Sequence, residues 1–204
     1  MFASGKVKRE EVFITTKLWQ DDREDIEGAV RRSLSLLKID YIDLYLIHWM
    51  LPKIDWKDSE NPIKNTPTHK VWAELERLVD AGLIKSIGVS NANMTVILDL
   101  MAYARIKPVA NQIELHPYLV QKDLVAFHEK LGIKLIAYAP LSSPSFGGRD
   151  ASLKDVNLLT HPVITSIAEK HGKKTGQVIL NWHLKRGHLI IPKTTKVERL
   201  AENH

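Results

Sequence analysis

The chain has 204 residues, of which 44% are hydrophobic and 26% are charged, as is ordinary for one globular domain with a sizeable core. Its 29 Lys and Arg against 24 Asp and Glu give a net charge of +5. The basic residues are spread along the chain without interleaved aromatics, so we expect no nucleic-acid partner. No apolar run approaches the ~20 residues that cross a bilayer, so no membrane partner is expected. There are no cysteines, which excludes disulfides and fits a reducing compartment. We expect a cytoplasmic location.

Short apolar segments and helical patterns alternate along the whole chain. Six segments are predicted as strands from their β-branched or continuously apolar character: residues 12–17, 43–48, 84–90, 109–114, 133–139 and 189–191. Apolar residues at helical spacing predict a helix after each of the first four strands and another around residues 178–182. Asp22 is the expected cap of the first helix, and Gly82 and Gly132 are expected to close the second and the fourth.

The alternation of apolar strands with helices predicts a parallel sheet buried on both faces, and therefore an α/β fold. About six βα units can be counted, two fewer than the eight of a closed (β/α)8 TIM barrel, which typically has ~250 residues. We therefore predict a single domain over residues 1–204 with an incomplete (β/α)8 barrel. The connections 49–68 and 140–160 follow strands and are long, so they are expected on the C-terminal face, where barrel enzymes bind substrates.

Polar residues at the ends of apolar strands carry the clearest chemical signal. Lys17 and His48 end the first two strands, so they are expected to meet on one face, where a Lys and a His suit proton transfer to or from a carbonyl or alcohol. A salt-bridged Lys and a hydrogen-bonded core His would explain the two residues equally well. Polar and aromatic residues that end the next strands suit a flat, amide-bearing ligand or are ordinary strand-end residues: Ser90, Asn91, Gln112 and Tyr138.

A basic cluster follows the last strand. Lys193, Thr194 and Arg199 surround a T-x-x-E pattern, Thr195 to Glu198, which predicts a capping box at the start of a helix. Because a helix N-terminus and cationic side chains favour phosphate, we interpret the cluster as a phosphate site rather than a basic surface turn. The sequence has no G-x-G-x-x-G fingerprint and no P-loop. Its nine histidines show no metal-ligand spacing, so no metal is expected.

Six ordered motifs resemble the aldo-keto reductase family, in its aldose-reductase-like branch, over essentially the whole chain. They are T-K-L-W at 16–19, D-L-Y-L-I-H-W at 43–49, G-V-S-N at 88–91, N-Q-I-E-L-H-P-Y at 111–118, A-Y-A-P-L at 137–141, and I-P-K at 191–193 continuing to 203. The resemblance implies an NADPH-dependent oxidoreductase that reduces small-molecule aldehydes or ketones to alcohols by hydride transfer. A full-length member is expected to be a monomer.

The resemblance also implies a role for each matching residue. Lys17 would lower the pKa of a catalytic tyrosine, His48 would orient the carbonyl, and Trp19 and Trp49 would wall the substrate pocket. The remaining matches imply contacts with NADPH. The nicotinamide would be held by Ser90, Asn91, Gln112 and Tyr138. The pyrophosphate loop would include Leu141 and Ser143, and the 2′-phosphate and adenine would be held by Lys193, Thr194, Arg199, Glu202 and Asn203.

Departures from the family pattern lead to further expectations. The family opens with two βα units that carry the proton-donating tyrosine and an aspartate partner of the lysine, whereas Met1 lies just before the third unit. The family's last loop is expected to be missing, and a family aspartate is replaced near Ser145. We therefore expect weak or no activity from these residues alone, and self-association through unpaired strand edges. The alternative is a non-catalytic relative that binds NADP(H) or a protein partner.

Overall fold

The computed structural model describes residues 5–54, 66–142 and 157–203, together with the single residues 2, 57 and 60. The chain divides into two compact units, Met1–Asn111 and Gln112–His204, and each is described by itself below. The single domain predicted over residues 1–204 stays a prediction.

The described residues contain a six-stranded sheet whose strands follow one another in chain order. The strands are β1 (Thr15–Leu18), β2 (Ile42–Ile47), β3 (Ile84–Ser90), β4 (Ala110–Glu114), β5 (Lys134–Tyr138) and β6 (Leu189–Ile190). The pairs β1–β2, β2–β3 and β5–β6 are parallel. Six parallel strands that alternate with helices confirm the predicted α/β fold class.

The first strand is shorter than the sequence predicts. It begins at Thr15 rather than at residue 12. The Ile14 carbonyl still accepts from the Leu44 N–H of β2 over 3.1 Å, but other backbone groups before Thr15 bind side chains. The Ile14 N–H donates to the Asp43 carboxylate over 2.9 Å, and the Val12 carbonyl accepts from the guanidinium of Arg9 over 2.6 Å.

Seven α-helices lie in the described residues. They are α1 (Ile26–Leu37), α2 (Thr68–Asp80), α3 (Met94–Tyr103), α4 (Lys122–Leu131), α5 (Pro162–His171), α6 (Thr175–Leu184) and α7 (Glu198–Asn203). Helix α5 was not predicted, although Pro162 at its first position and Gly172 at its end are usual helix boundaries. Its cap is His161, whose ring nitrogen accepts from the Val163 N–H, and histidine is not a residue that sequence patterns identify as a cap. None of these helices combines the length and apolar character needed to cross a membrane.

The ends of the helices confirm most of the expected boundaries and correct one. Gly82 and Gly132 follow α2 and α4 with φ of 76° and 70°, a left-handed conformation that favours glycine. The predicted cap of α1 was wrong. Asp25 caps it, accepting from the Gly28 N–H over 3.0 Å. Asp22 instead lies in a preceding 3-10 turn and pairs with Arg32 over 2.5 Å.

Each unit has its own buried core. In the first unit all six residues of β2 are buried, and α2, which packs on β3, adds the buried side chains of Val71, Trp72 and Leu75. In the second unit, one core cluster consists of buried residues in and next to β4 and β5, with partly buried side chains of α4 and β6 packed against it.

The close approach of β3 to its neighbours allows a test of the first unit. A Cβ at Gly88 would lie 2.6 Å from the Ala110 carbonyl oxygen and 2.8 Å from the Leu46 Cδ2. We expect Gly88→Ala to lower the free energy of unfolding by ~1–3 kcal/mol, because a backbone atom cannot move aside. Gly176→Ala is the matched control. Its Cβ would meet nothing closer than 4.0 Å, so it should raise helix stability by up to ~1 kcal/mol. Urea denaturation that shows equal stability for Gly88→Ala and the unmodified chain would contradict this packing.

Candidate functional site

The C-terminal ends of β1 and β2 bring Lys17 and His48 to the same edge, as predicted. Lys17 pairs in register with Leu46, and Leu18 pairs with Ile47. The backbone N–H of His48 then donates to the Leu18 carbonyl over 3.1 Å, which continues the ladder by one residue. Both side chains are half-buried, so they are partly shielded from water and still reachable by a ligand.

The electrostatics of this edge make His48 a neutral residue. Burial lowers the pKa of Lys17 from its usual value. Burial, and then the neighbouring Lys17 ammonium, lowers the pKa of His48 to about 4. At pH 7 the imidazole is therefore uncharged, with one N–H donor and one acceptor nitrogen. Such a ring can orient a carbonyl by hydrogen bonding but is a poor proton donor. This argues against His48 as a replacement for the proton-donating tyrosine of the family.

Two tryptophan rings flank His48. The ring centroids of Trp19 and His48 are 4.3 Å apart, and those of His48 and Trp49 are 6.2 Å apart with an angle of 11° between the planes. Trp19 and Trp49 remain 51% and 46% exposed, which is unusual for side chains of this size. Their position is compatible with apolar walls beside a reacting group, the role that the resemblance implies.

The end of β3 is joined to the end of β2. Asn91 adopts a φ of 56°, and its Nδ2 donates to the His48 carbonyl over 3.0 Å and to Ser90 Oγ over 3.3 Å. Asn111 fixes Ala92, the residue after Asn91. Its side chain donates to the Ala92 carbonyl over 2.8 Å and accepts from the Ala92 N–H over 3.4 Å. The structure thus brings Ser90 and Asn91 to the edge that carries His48.

In the second unit, Gln112 is buried in β4 and Tyr138 ends β5. Burial, and then the neighbouring Glu114, raises the pKa of Tyr138 above its usual value. The chain turns sharply after Tyr138, because the Ser142 N–H donates to the Ala139 carbonyl over 2.8 Å. The His183 ring lies 3.1 Å from the Pro140 carbonyl and fixes this turn from α6.

Four of the predicted cofactor residues of the second unit line one pocket of about 220 Å³. The lining consists of Leu141, Leu159, Lys174, Thr175, Gly176, Gln177, Arg199, Glu202 and Asn203. A guanidinium, an ammonium, a carboxylate and two amides therefore surround one cavity. Lys193 and Thr194 are not among these lining residues.

The basic cluster differs from the predicted helix start. Helix α7 begins at Glu198, so Thr195 does not occupy the cap position and the predicted capping box does not form. The reason is local, because Thr194 Oγ1 accepts from the Lys196 N–H over 3.1 Å and stabilises a turn that competes with helix. Lys193 is consequently an exposed residue of an irregular segment, several residues before the helix.

Some expectations lie outside the described residues. Ser143 and Ser145 belong to the range 143–156, for which no structure is described. The connections 49–68 and 140–160 are described only near their ends, so their common placement on one face stays a prediction.

Two buried residues of the first unit were not identified from the sequence as important for this edge. Asn111 was noticed only as part of a motif, although a buried amide near a strand end signals a structural hydrogen bond. Arg23 is 1% exposed but stands in the run D-D-R-E-D at 21–25, which reads as a solvated surface. No sequence pattern distinguishes this arginine from its exposed neighbours.

Comparison with known proteins identifies similar sequences. The family model described as "Aldo/keto reductase family" matches residues 1–204. The chain is 42% identical to a sequence from Aspergillus clavatus named probable NAD(P)H-dependent D-xylose reductase, over 98% of this chain and 65% of the relative. It is 41% identical to the NAD(P)H-dependent D-xylose reductase of Candida tropicalis, over 98% of this chain and 67% of that one. The chain thus spans about two thirds of the length of these relatives.

Solved structures agree with this similarity. The aldose reductase of Schistosoma japonicum superposes with a TM-score of 0.84 at 37% identity, covering 99% of this chain and 65% of that one. An aldo-keto reductase of Bombyx mori in complex with NADP gives a TM-score of 0.84 at 38% identity, covering 99% of this chain and 64% of that one. The alternation of parallel strands and helices is therefore that of a (β/α)8 barrel, as predicted.

The neutral state of His48 can be tested by NMR titration. We expect its ring protons to titrate with a midpoint of about 4. Lys17→Met should raise this midpoint, because it removes a neighbouring cation, but not to the ordinary value of ~6.5, because burial is the larger cause. Lys85→Met is the control, since Lys85 lies against the Tyr41 ring at 3.7 Å and its loss should leave His48 unchanged. A midpoint near 6.5 in the unmodified chain would contradict the described environment.

Proposed function

Because this chain belongs to the aldo/keto reductase family, we propose that it serves the NADPH-dependent reduction of aldehydes and ketones to alcohols. The observation that carries the proposal is the edge where Lys17, a neutral His48 and two tryptophan rings meet. When bound, NADPH supplies the hydride that reduces the carbonyl carbon. The residues of this chain bind the reactants, orient them and stabilise charge on the carbonyl oxygen.

The proposed roles at this edge follow from charge state and exposure. His48 donates its remaining ring N–H to the carbonyl oxygen and holds it in one orientation. The Lys17 ammonium stabilises the negative charge that develops on oxygen as the hydride arrives, an effect that is larger in a partly dry site than in water. Trp19 and Trp49 bind the apolar part of the substrate and keep water from His48.

The proposed cofactor contacts agree with the chemistry of the second unit. The pocket that includes Arg199, Glu202 and Asn203 offers a guanidinium for a phosphate and a carboxylate and an amide for the edge of a base. Its 220 Å³ is below the ~300–1,000 Å³ of sites that enclose a drug-sized ligand, so we propose that it holds only the adenosine end. Leu141 contributes to the same pocket.

The other cofactor residues keep the roles that the resemblance implies. Lys193 and Thr194, in the irregular segment before α7, are proposed to contact the phosphate. The pyrophosphate role of Ser143 stays what the resemblance implies. Within the first unit, Ser90 and Asn91 are proposed to contact the nicotinamide amide. For Gln112 and Tyr138 of the second unit, the nicotinamide contact stays what the resemblance implies.

A preference for NADPH over NADH tests the phosphate assignment. We expect Arg199→Ala to weaken NADPH binding by ~1–3 kcal/mol, the usual value for hydrogen bonds to a charged group, and to leave NADH binding nearly unchanged. Arg186→Ala removes the same charge from an arginine that lies 4.6 Å from the Trp182 ring, so it should affect neither cofactor. Fluorescence titration of each variant with both cofactors decides the matter. Equal weakening of NADPH and NADH binding would contradict the assignment of Arg199 to the 2′-phosphate.

The reaction also requires a proton donor for the carbonyl oxygen. In the first unit, Tyr41 lies between Arg9 and Lys85, and Tyr103 faces a histidine of α2. Tyr45 is buried, and burial raises its pKa to about 12. None of these three tyrosines of the first unit is placed beside Lys17 and His48. We therefore propose that a polypeptide of these 204 residues is a weak reductase.

This proposal predicts a large difference between two proteins. NADPH oxidation with a reactive aldehyde should be ~10²–10⁴-fold slower for the 204-residue chain than for a fusion that adds the N-terminal segment of the Candida tropicalis relative, because a positioned acid contributes this factor. Within the fusion, His48→Gln should lower the rate of NADPH oxidation relative to the unmodified fusion. Comparable turnover by chain and fusion would show that no further acid is needed. Tight NADPH binding without turnover in either protein would instead favour the non-catalytic alternative.

A further inference from the structure

We propose that Arg23 is a positioning residue that holds Trp49 against His48 and thereby determines which aldehydes the site accepts. The part that concerns aldehydes rests on the proposed function, whereas the part that concerns Trp49 and His48 does not. The proposal comes from a buried guanidinium whose hydrogen bonds all end on the connection that follows β2.

Arg23 is almost completely buried, with 1% of its surface exposed. One terminal nitrogen donates to the carbonyls of Trp49 and Met50, each over 2.9 Å, and lies 3.4 Å from Thr68 Oγ1. The other donates to the Thr66 carbonyl over 3.2 Å. One side chain therefore ties the residues that leave β2 to the residues that enter α2.

The charge of Arg23 has no carboxylate partner among the described residues. Its acidic neighbours are engaged elsewhere, since Asp22 pairs with Arg32 and Asp25 caps α1. Burial accordingly lowers the pKa of Arg23, and a buried charge is costly unless hydrogen bonds compensate it. Backbone carbonyls and a hydroxyl provide that compensation at the two terminal nitrogens, whereas Nε is buried without a hydrogen-bond partner among the described residues. Arg23 and the ends of the connection therefore stabilise each other.

Weaker contacts also join the 3-10 turn before Arg23 to the residues that follow β2. Arg23 follows the 3-10 turn Gln20–Asp22, whose cap is Trp19. From this turn Gln20 donates to the Leu51 carbonyl over 2.9 Å, and Asp21 forms an ion pair with Lys53. These contacts are exposed and contribute little individually. Arg23 is the buried member, and it links the segment that begins with Trp19 to the one that begins with Trp49.

The consequence for His48 follows from the exposure of Trp49. Its ring lies nearly parallel to the imidazole, yet 46% of the residue is exposed, so packing alone holds it weakly. The bond from Arg23 to its backbone carbonyl is the anchor. Without that hydrogen bond, the Trp49 ring would move away from His48 and water would reach the imidazole. The substrate pocket would also lose one apolar wall.

The first test needs no substrate. In Arg23→Met we expect the NMR midpoint of His48 to rise from about 4 toward the ordinary ~6.5, and amide exchange to accelerate at residues 49–54 and 66–68. Arg23→Lys should show the same changes to a smaller extent, since a single ammonium cannot serve carbonyls on both segments.

Arg9→Met is the matched control. Arg9 is another mostly buried arginine, and it donates to the Tyr41 carbonyl and to Asp43 at the opposite end of β2. Its loss should destabilise the protein, as measured by urea denaturation, without moving the His48 midpoint. A shift of His48 in Arg9→Met equal to that in Arg23→Met would mean that any loss of stability produces the effect, and it would overturn the proposal.

A double substitution examines the path through the indole. In a Trp49→Ala background there is no indole for Arg23 to position. Adding Arg23→Met should therefore change the His48 midpoint little further. If Arg23→Met moves the midpoint equally in both backgrounds, Arg23 does not act through Trp49 and the proposal fails. Arg23→Lys in the same background serves if the methionine variant does not fold.

The substrate part is tested by steady-state kinetics in the fusion that carries the relative's N-terminal segment. For Arg23→Met we expect KM for a bulky aromatic aldehyde to rise roughly 10-fold or more, the effect of one lost apolar wall, and for Arg23→Lys to rise by less. Neither variant should change kcat, or KM for a small aliphatic aldehyde, by much. An equal loss of kcat for both aldehydes would contradict a role in selection. If no variant or parent reduces aldehydes, the proposed function fails, while the NMR and exchange results still decide whether Arg23 positions Trp49.

Discussion

Complete burial of β2 is the constraint on which the candidate site depends. Its six residues are all inaccessible, and β1 and β3 flank it on the two sides in parallel register. A slip of one residue would exchange the two faces of the strand, which a strand buried on both sides cannot absorb without repacking both neighbours. The heights of Lys17, His48 and Ser90 along the three strands are therefore set by packing rather than by their own interactions.

Charged residues at the N-terminal ends of β1 and β2 are paired with opposite charge, whereas those at the C-terminal ends are not paired in this way among the described residues. At the N-terminal end, burial alone would raise the pKa of Asp43, but the Ile14 N–H and the Arg9 guanidinium together hold it below its usual range. The Asp43 carboxylate therefore has an opposite charge and a hydrogen-bond donor beside it, and it contributes to the stability of the fold. At the C-terminal end, Lys17 approaches a histidine whose protonation it opposes. Such an uncompensated arrangement is stable only because the strands impose it, and perturbed groups of this kind are typical of functional sites.

Much of the fold could be predicted because it follows from patterns that the sequence displays directly. Continuous apolar segments identified all six strands, and Gly82 and Gly132 marked helix ends through their need for positive φ. The polar residues that end strands were also visible, since an apolar run makes its polar terminus conspicuous. Their convergence within the first unit followed from parallel pairing alone.

What could not be predicted depends on competition between nearby alternatives. Thr194 and Thr195 are chemically identical, and the choice of Thr194 for the local hydrogen bond moved the start of the last helix. Asp22 and Asp25 are equally good caps, and only the path of the chain selects Asp25. The burial of Arg23 depends on carbonyls of a distant connection, so its flanking acidic residues gave the opposite impression.

The contact between Gly88 and Leu46 has a consequence for how this sequence can change over time. The two residues are register partners on adjacent strands, and the Leu46 methyl occupies the space where a side chain at position 88 would begin. Because the Ala110 carbonyl oxygen lies 2.6 Å from the same point, a smaller residue at 46 would not by itself make room for a side chain at 88. Position 88 is therefore restricted to glycine as long as β4 keeps its course, and among homologues we expect glycine there whatever the volume of residue 46, even though neither residue contacts a reactant.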